Sequence, residues 1–371
     1  MKLLFVIKSL SLRGGGAERV LAEVAAGLSA SGHDVTVASF DAADAADFYA
    51  FAPPIRRIRL GIGNSAERSG ARQTLRRIGA LRRLARAEAP DVAIGFMHSA
   101  YIPLGLALAG TGIPAVASEH IVFGHYDNRR IERLLLGFIP RFLHSITAIS
   151  EEMRRGFPAK IRRKMTIVPN PVAAAAGAAA DVRGGAEKII LTVGRLEEQK
   201  DQRTLVAAFG LLAERFPEWR LRILGEGVLR PDLEAQIAAL DLAGRIALPG
   251  ATPDISAEYA GAQLFAMPST YESFGLATAE AMAHGVPAVG FADCPGTNEL
   301  IVDGENGLLV AGEDRAAALA DGLARLMSSD EERARMGAAA PAHIAAFAPE
   351  RVVERWEKLL LAAAAGAPAP L

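Results

Sequence analysis

Short apolar runs bounded by glycine, proline or charge alternate with longer amphipathic stretches through most of this chain. KLLFVIK (2–8) fits a strand buried on both faces, and ERVLAEVAAGLSASG (18–32) places Val20, Leu21, Val24 and Leu28 at helical spacing. HDVTVASF (33–40), DVAIGFM (91–97), PAVAS (114–118) and SITAIS (145–150) continue the strands, with helices expected near 101–109 and 129–143. Such alternation predicts a doubly wound parallel sheet.

After TIVPNPV (166–172) the composition shifts to small residues, and the strand rhythm then restarts with KIILTVG (188–194). WRLRILG (219–225), RIALPG (245–250), LFAMPS (264–269), PAVGF (287–291) and GLLV (307–310) follow as further strands. The 371 residues suit two domains of about 150 to 200 each. The expected organisation is a Rossmann-like domain at 1–172, a linker at 173–187, a second Rossmann-like domain at 188–348, and a C-terminal helix and tail at 349–371 packing back toward the first domain.

Residues 93–118 lack Asp, Glu, Lys and Arg, a length that raises the question of a membrane span. Pro103, Gly105, Gly110, Gly112 and Pro114 instead divide it into strand, short helix and strand. The opening apolar run, Leu3 to Ile7, is shorter than the roughly 7 to 15 residues of a signal peptide, and Cys294 is the only cysteine, which excludes an internal disulfide framework. A cytoplasmic protein is expected. Net charge is −1, but residues 1–174 carry 24 Lys and Arg against 14 Asp and Glu, and the remainder 17 against 28. The basic half is therefore expected to face something anionic, a phosphate-bearing acceptor or a membrane surface. Seven arginines between Arg68 and Arg86, interleaved with Leu75, Ile78, Leu81 and Leu84, fit either peripheral contact with the inner face of an anionic membrane or a helix covering the sheet with a solvated basic face.

Three segments carry candidate chemistry. Gly14, Gly15 and Gly16 open a helix after a strand, where backbone approaches a ligand closely and unpaired amides meet phosphate. In Tyr271 to Glu280, Glu272 lies at a strand-to-helix turn and Glu280 about two helical turns further on, so the two carboxylates can meet different parts of one extended ligand. The amides of Ser273, Phe274 and Gly275 between them suit a phosphate. The loop Gly194 to Asp201 brings Arg195 and Lys200 to the carboxyl end of a strand, where cations can neutralise a diphosphate. His120, ending another strand in Ser118-Glu119-His120, can hydrogen-bond a substrate or help manage its proton. His98 is a second choice there, and His33 is expected to be structural.

Together with Ala283-His284-Gly285-Val286-Pro287 and the Glu299 to Val310 stretch, these segments resemble glycosyltransferase family 4, retaining enzymes of the GT-B fold. The resemblance implies an α/β chain of two Rossmann-like doubly wound parallel-sheet domains facing a central cleft, the first binding acceptor and the second nucleotide-sugar. It implies that Glu280 holds the donor ribose, Glu272 a hydroxyl of the donor sugar, and Arg195 and Lys200 the diphosphate. Ser273, Phe274, Gly275 and Leu276 would line the donor site, with Gly15 and Gly16 approaching from the opposite domain and His120 near donor sugar and acceptor. The catalytic set is then His120, Arg195, Lys200 and Glu272. No metal and no cofactor are expected, since no Asp-x-Asp motif or clustered His and Cys ligands occur.

The expected reaction moves a hexose or N-acetylhexosamine from a nucleotide-sugar to a glycan or lipid-linked acceptor in cell-surface polysaccharide or lipopolysaccharide synthesis. UDP is favoured as carrier by family frequency, with GDP open, and no nucleic acid partner is expected. An NAD-dependent oxidoreductase is a rival from a different enzyme class, hinted at by Phe40-Asp41 after the second strand; a non-catalytic nucleotide-sugar-binding protein is another, and related GT-B enzymes such as sugar-nucleotide epimerases are the nearer rival.

Overall fold

The structure, a computed structural model, describes residues 1–11, 16–62, 70–175, 179–252 and 254–370. The chain divides into two compact units, Met1–Pro171 with Pro349–Leu371, and Val172–Ala348.

In the first unit seven strands pair in parallel: β1 (Lys2–Ile7), β2 (Asp34–Ser39), β3 (Arg56–Arg59), β4 (Val92–Phe96), β5 (Ala115–Ser118), β6 (Ser145–Ala148) and β7 (Met165–Ile167). Their order across the sheet is β3-β2-β1-β4-β5-β6-β7, so the winding reverses between β1 and β4. Helices α1 (Gly16–Ala30), α2 (Ala71–Glu88), α3 (His98–Leu108) and α4 (Arg130–Phe138) connect the strands. The central strands are mostly apolar along their buried length because helices cover both faces, and α1 turns Val20, Leu21, Val24 and Leu28 inward. Edge strand β3 reads Arg-Arg-Ile-Arg and carries no apolar signature. It forms because Arg57 reaches across to Asp47 (3.0 Å) and Ser39 (2.6 Å), and an edge strand tolerates charge on its open side.

The terminal helix Pro349–Ala364 belongs to this unit and packs on α1, where a Cβ added to Gly27 would stand 2.3 Å from Val353 Cγ2. Its Trp356 is buried and stacks on Phe96 of β4 at 5.9 Å between centroids, and Glu357 accepts His33 Nε2 at 2.9 Å. His33 thus ties the start of β2 to the last helix.

In the second unit the order is β10-β9-β8-β11-β12-β13, from β8 (Lys188–Val193), β9 (Trp219–Leu224), β10 (Ile246–Gly250), β11 (Leu264–Met267), β12 (Ala288–Phe291) and β13 (Gly307–Val310). All pairings are again parallel, and the winding reverses between β8 and β11. Residues 179–187 pack onto this unit: Ala180 N donates to His284 O, and the buried Arg333 donates to Val182 O at 2.8 Å.

Helix α2 differs from a uniformly solvated basic face. Arg77 is buried with its guanidinium 4.4 Å from the Phe40 ring centroid, and Arg82 donates to Ala107 O (2.9 Å) and Ala109 O (3.1 Å) at the end of α3. Arg72, Arg76, Arg83 and Arg86 face water, whereas Arg68 lies outside the described residues. No helix among the described residues is long and apolar enough to cross a membrane.

Candidate functional site

Ligands of open α/β sheets bind beyond the carboxyl ends of strands where the winding reverses. In the second unit the loops leaving β8 and β11 flank that point, and they carry two of the sequence candidates into contact. Lys200 Nζ donates to Glu272 Oε1 at 2.6 Å, and Ser269 Oγ donates to the same oxygen at 2.6 Å. The side chain of Glu272 is 9% exposed and that of Lys200 17%, so their charges are largely shielded from water. Backbone bonds join the two loops as well: Thr270 N donates to Gln199 O (3.0 Å), and Gln199 Nε2 donates to Tyr271 O (2.9 Å).

Glycines let the loops approach. Gly225 and Gly227 follow β9, and a Cβ there would meet Gly194 O at 2.0 Å and Leu196 O at 2.3 Å, so the loop that carries Arg195 and Lys200 rests on bare backbone. Gly296 has φ +78°, and its Cβ would stand 2.6 Å from Glu272 O. The segment 293–299 is thereby pressed against the Glu272 turn, with Glu272 N donating to Pro295 O at 2.9 Å. Gly296→Ala should cost at least about 1–2 kcal/mol of left-handed strain and push the Glu272 turn out of place. Thermal melting checks the first effect, and nucleotide titration, in which affinity should fall more than the modest loss of stability explains, checks the second.

The helix Leu276–Ala283 begins directly after this turn, with Gly275 at φ +86° as its N-cap and no side chain capping it. Glu272 therefore bonds Lys200 and Ser269 instead of capping the helix. The amides of the first turn, including Leu276, stay oriented out of the helix N-terminus. Ser273 is half-buried, and Phe274 is buried edge-on against Phe347 (5.1 Å). Glu280 lies further along the helix, half-buried, and accepts from Tyr259 OH at 2.8 Å. Arg195 leaves the same loop as Lys200 but is exposed and pairs with Glu197 at 2.8 Å.

Arg315 was not singled out in the sequence, and it underlies the whole turn. Its Nη2 donates to Pro268 O and Ser269 O, each at 3.2 Å, its Nη1 to Asp293, and its guanidinium lies 3.6 Å from the Phe291 ring centroid. Cys294 beside it is buried, and burial pushes its thiol up to about 11.

In the first unit the corresponding end of the sheet holds His120, just past β5. Its ring stacks on Phe96 at 5.3 Å, and Nε2 lies 2.9 Å from Ser118 Oγ, leaving Nδ1 without a partner among the described residues. Burial pushes the imidazole down to about 4, so it is neutral near pH 7 and exchanges hydrogen bonds without carrying charge. The adjacent Glu119 is fully buried and organises the region. Its Oε2 accepts Tyr101 OH (2.5 Å) and Tyr126 OH (3.1 Å), while Oε1 accepts the amides of His120 and Ile121 (3.0 Å each). Tyr126 OH also lies 3.0 Å from His98 Nδ1, another imidazole that burial pushes down to about 4. Gly14 and Gly15 lie outside the described residues, and Gly16 is the exposed first residue of α1.

Asp41, the acidic group an NAD-binding reading needs at the end of β2, is buried and bound by this chain's own groups. Burial pushes its carboxyl up, but hydrogen bonds from Ser39, Ser9, Leu10 N and Ser11 outweigh that and leave it below the usual range. Its Oδ1 and Oδ2 take those bonds at 2.5 to 3.0 Å, so a ribose finds no open acceptor there.

Comparison with known proteins bears on the family and the fold. The profile described as "Glycosyl transferases group 1" matches residues 180–343, and that of "Glycosyltransferase Family 4" matches residues 14–175. An uncharacterized glycosyltransferase of Haemophilus influenzae is 26% identical over 348 residues, covering 93% of this chain and 96% of that protein. A D-inositol 3-phosphate glycosyltransferase of Corynebacterium urealyticum is 35% identical over 181 residues, a match that spans 46% of this chain and only 42% of the relative's own length. Among solved structures, Anabaena HepE, crystallised with UDP and glucose, superposes with a TM-score of 0.80 at 21% identity, over 97% of this chain and 99% of that one.

Proposed function

Since the chain belongs to the glycosyltransferases and carries the two parallel-sheet units of the GT-B fold, we propose that it transfers a hexose or N-acetylhexosamine from a UDP-sugar to a glycan or glycolipid acceptor, with retention of configuration, in the synthesis of cell-surface polysaccharide or lipopolysaccharide. The observation that carries this reading is the convergence of Lys200, Glu272 and Ser269 at the winding reversal of the second sheet, beside a helix N-terminus whose amides no side chain caps.

The chemistry follows from those groups. A nucleoside diphosphate leaving group gains negative charge as the glycosidic bond breaks, and preorganised cations and amides in a shielded site stabilise that charge. Lys200 and the first-turn amides of Leu276–Ala283 supply it here, and Arg195 joins them by exchanging Glu197 for phosphate. No metal is then required. Glu272, held by Lys200 and Ser269, presents its second oxygen to a sugar hydroxyl, and Glu280 accepts ribose hydroxyls. Neutral His120 offers Nδ1 to a hydroxyl of the donor sugar or acceptor. UDP is supported by the UDP bound to HepE in its crystal structure. An oxidoreductase is disfavoured by the closed environment of Asp41.

Calorimetric titration with UDP, GDP and NAD, with and without EDTA, tests the donor site. Binding of UDP that EDTA leaves unchanged is expected, and Glu280→Ala should weaken it roughly 10- to 100-fold, the worth of charged hydrogen bonds. NAD binding, or no binding of any nucleotide, would refute the reading.

A further inference from the structure

Helix α4 presents an apolar face that the unit does not cover. Ile131 is 76% exposed and Leu134 75%, with Phe138 one turn beyond at 42%, spacings that align the three on one side of the helix. Such a stripe is costly in water unless something shields it. Cations rim it. Arg130, Arg133, Arg141 and Lys160 line a groove of about 660 Å³ together with Leu134 and Phe138. Arg133 pairs with Asp127, and Arg141 lies over the Phe138 ring at 4.9 Å. Arg130 and Lys160 have no acidic partner among the described residues. From Asp127 to Lys164 the chain carries ten Lys and Arg against four Asp and Glu.

We propose that this face of α4 docks on an anionic lipid bilayer, with Ile131, Leu134 and Phe138 entering the headgroup boundary and the surrounding cations meeting lipid phosphate. The combination decides the occupant: exposed apolar side chains alone fit any partner, whereas the unpaired cations around them select an anionic, apolar interface. The location also fits, because Arg133 of α4 lies over the Phe123 ring at 5.1 Å, Phe123 packs against Tyr126 at 6.2 Å, and Tyr126 donates to Glu119 next to His120. An acceptor anchored in the membrane would be presented near that histidine. This contact is distinct from one through α2, where Arg77 and Arg82 are committed to Phe40 and to the end of α3.

Co-sedimentation of the full chain with vesicles tests the proposal without reference to turnover. Binding to vesicles of phosphatidylcholine with phosphatidylglycerol is expected at low salt, and little binding to phosphatidylcholine alone. Ile131→Ser with Leu134→Ser should weaken it at least about tenfold, and Arg130→Gln with Arg141→Gln roughly fivefold per charge. Arg72→Gln with Arg76→Gln and Arg83→Gln on α2 should leave it within about twofold. Melting curves confirm that each variant is folded, which is expected because every substituted side chain is exposed. Equal binding to both vesicle types, loss of binding only in the α2 variant, or a dimer in solution that dissolves on Ile131→Ser with Leu134→Ser and no vesicle binding would overturn it.

Discussion

Glu119→Gln should remove a fall in stability that the parent protein shows as pH rises from about 4.5 to 7. The unfolded chain releases the Glu119 proton near 4.5, whereas burial pushes the folded carboxyl up to about 7 despite the hydrogen bonds it accepts. Below 4.5 both states hold the proton and the group contributes no slope. Between the two values only the folded state holds it, so raising the pH favours the unfolded chain. At about 1.4 kcal/mol per unit the loss totals on the order of 3 kcal/mol and is complete above pH 7. Glutamine keeps an acceptor for the His120 and Ile121 amides but cannot ionise. Urea unfolding of both proteins at pH 5 and pH 8 isolates the effect, because all other titrating groups are common. A difference in stability that does not change with pH would mean that Glu119 ionises in the folded protein as it does in water. Glu119→Ala should also be destabilising, because it orphans two tyrosine hydroxyls and two amides at about 1–3 kcal/mol for each left without water; alanine cannot ionise either, so its deficit relative to the parent should shrink by on the order of 3 kcal/mol as the pH rises through 7.

The central strands of both sheets were legible because parallel strands covered on both faces must be mostly apolar along their buried length, as residues 3–7 of β1 and 189–191 of β8 are. Edge strand β3 was not, since Arg-Arg-Ile-Arg gains its place from Asp47 and Ser39, residues 10 and 18 positions away from Arg57. The same limit applies to the sites. Glu272 and Lys200 could be singled out because turn, helix start and loop each leave a local signature, yet their contact spans 72 residues and only the sheet order creates it. Glu119 stood in view beside His120, but a carboxylate in a polar triplet reads as solvent-facing until Tyr101 and Tyr126 are folded over it. Arg315 and Arg77 were invisible for a related reason. A guanidinium on an amphipathic helix is counted as surface, and whether it turns inward depends on carbonyls and rings supplied by other elements.

Lys200 has two roles that one double substitution separates. It balances Glu272, whose side chain is 9% exposed, and in the proposed reaction it stabilises the departing diphosphate. Lys200→Met should therefore lower stability by about 1–3 kcal/mol, as expected when a shielded carboxylate loses its charged partner, and lower turnover about 10²- to 10³-fold, the usual cost of deleting one donor to developing charge. In Lys200→Met with Glu272→Gln the stranded carboxylate is gone, and Ser269 still has an amide group to bond. Stability should return to near the parental value. If Lys200 served only to hold Glu272 in place, Lys200→Arg would restore turnover fully. If its charge must also reach the leaving group from this loop, Lys200→Arg should recover only part of it, because a planar fork set at the distance of the 2.6 Å contact directs its donors differently from an ammonium. The measurement is release of UDP from UDP-hexoses supplied with a cell-envelope extract, alongside melting curves for each protein. Turnover within tenfold of the parent in Lys200→Met would remove Lys200 from the chemistry and leave the leaving-group charge to Arg195 and the helix amides.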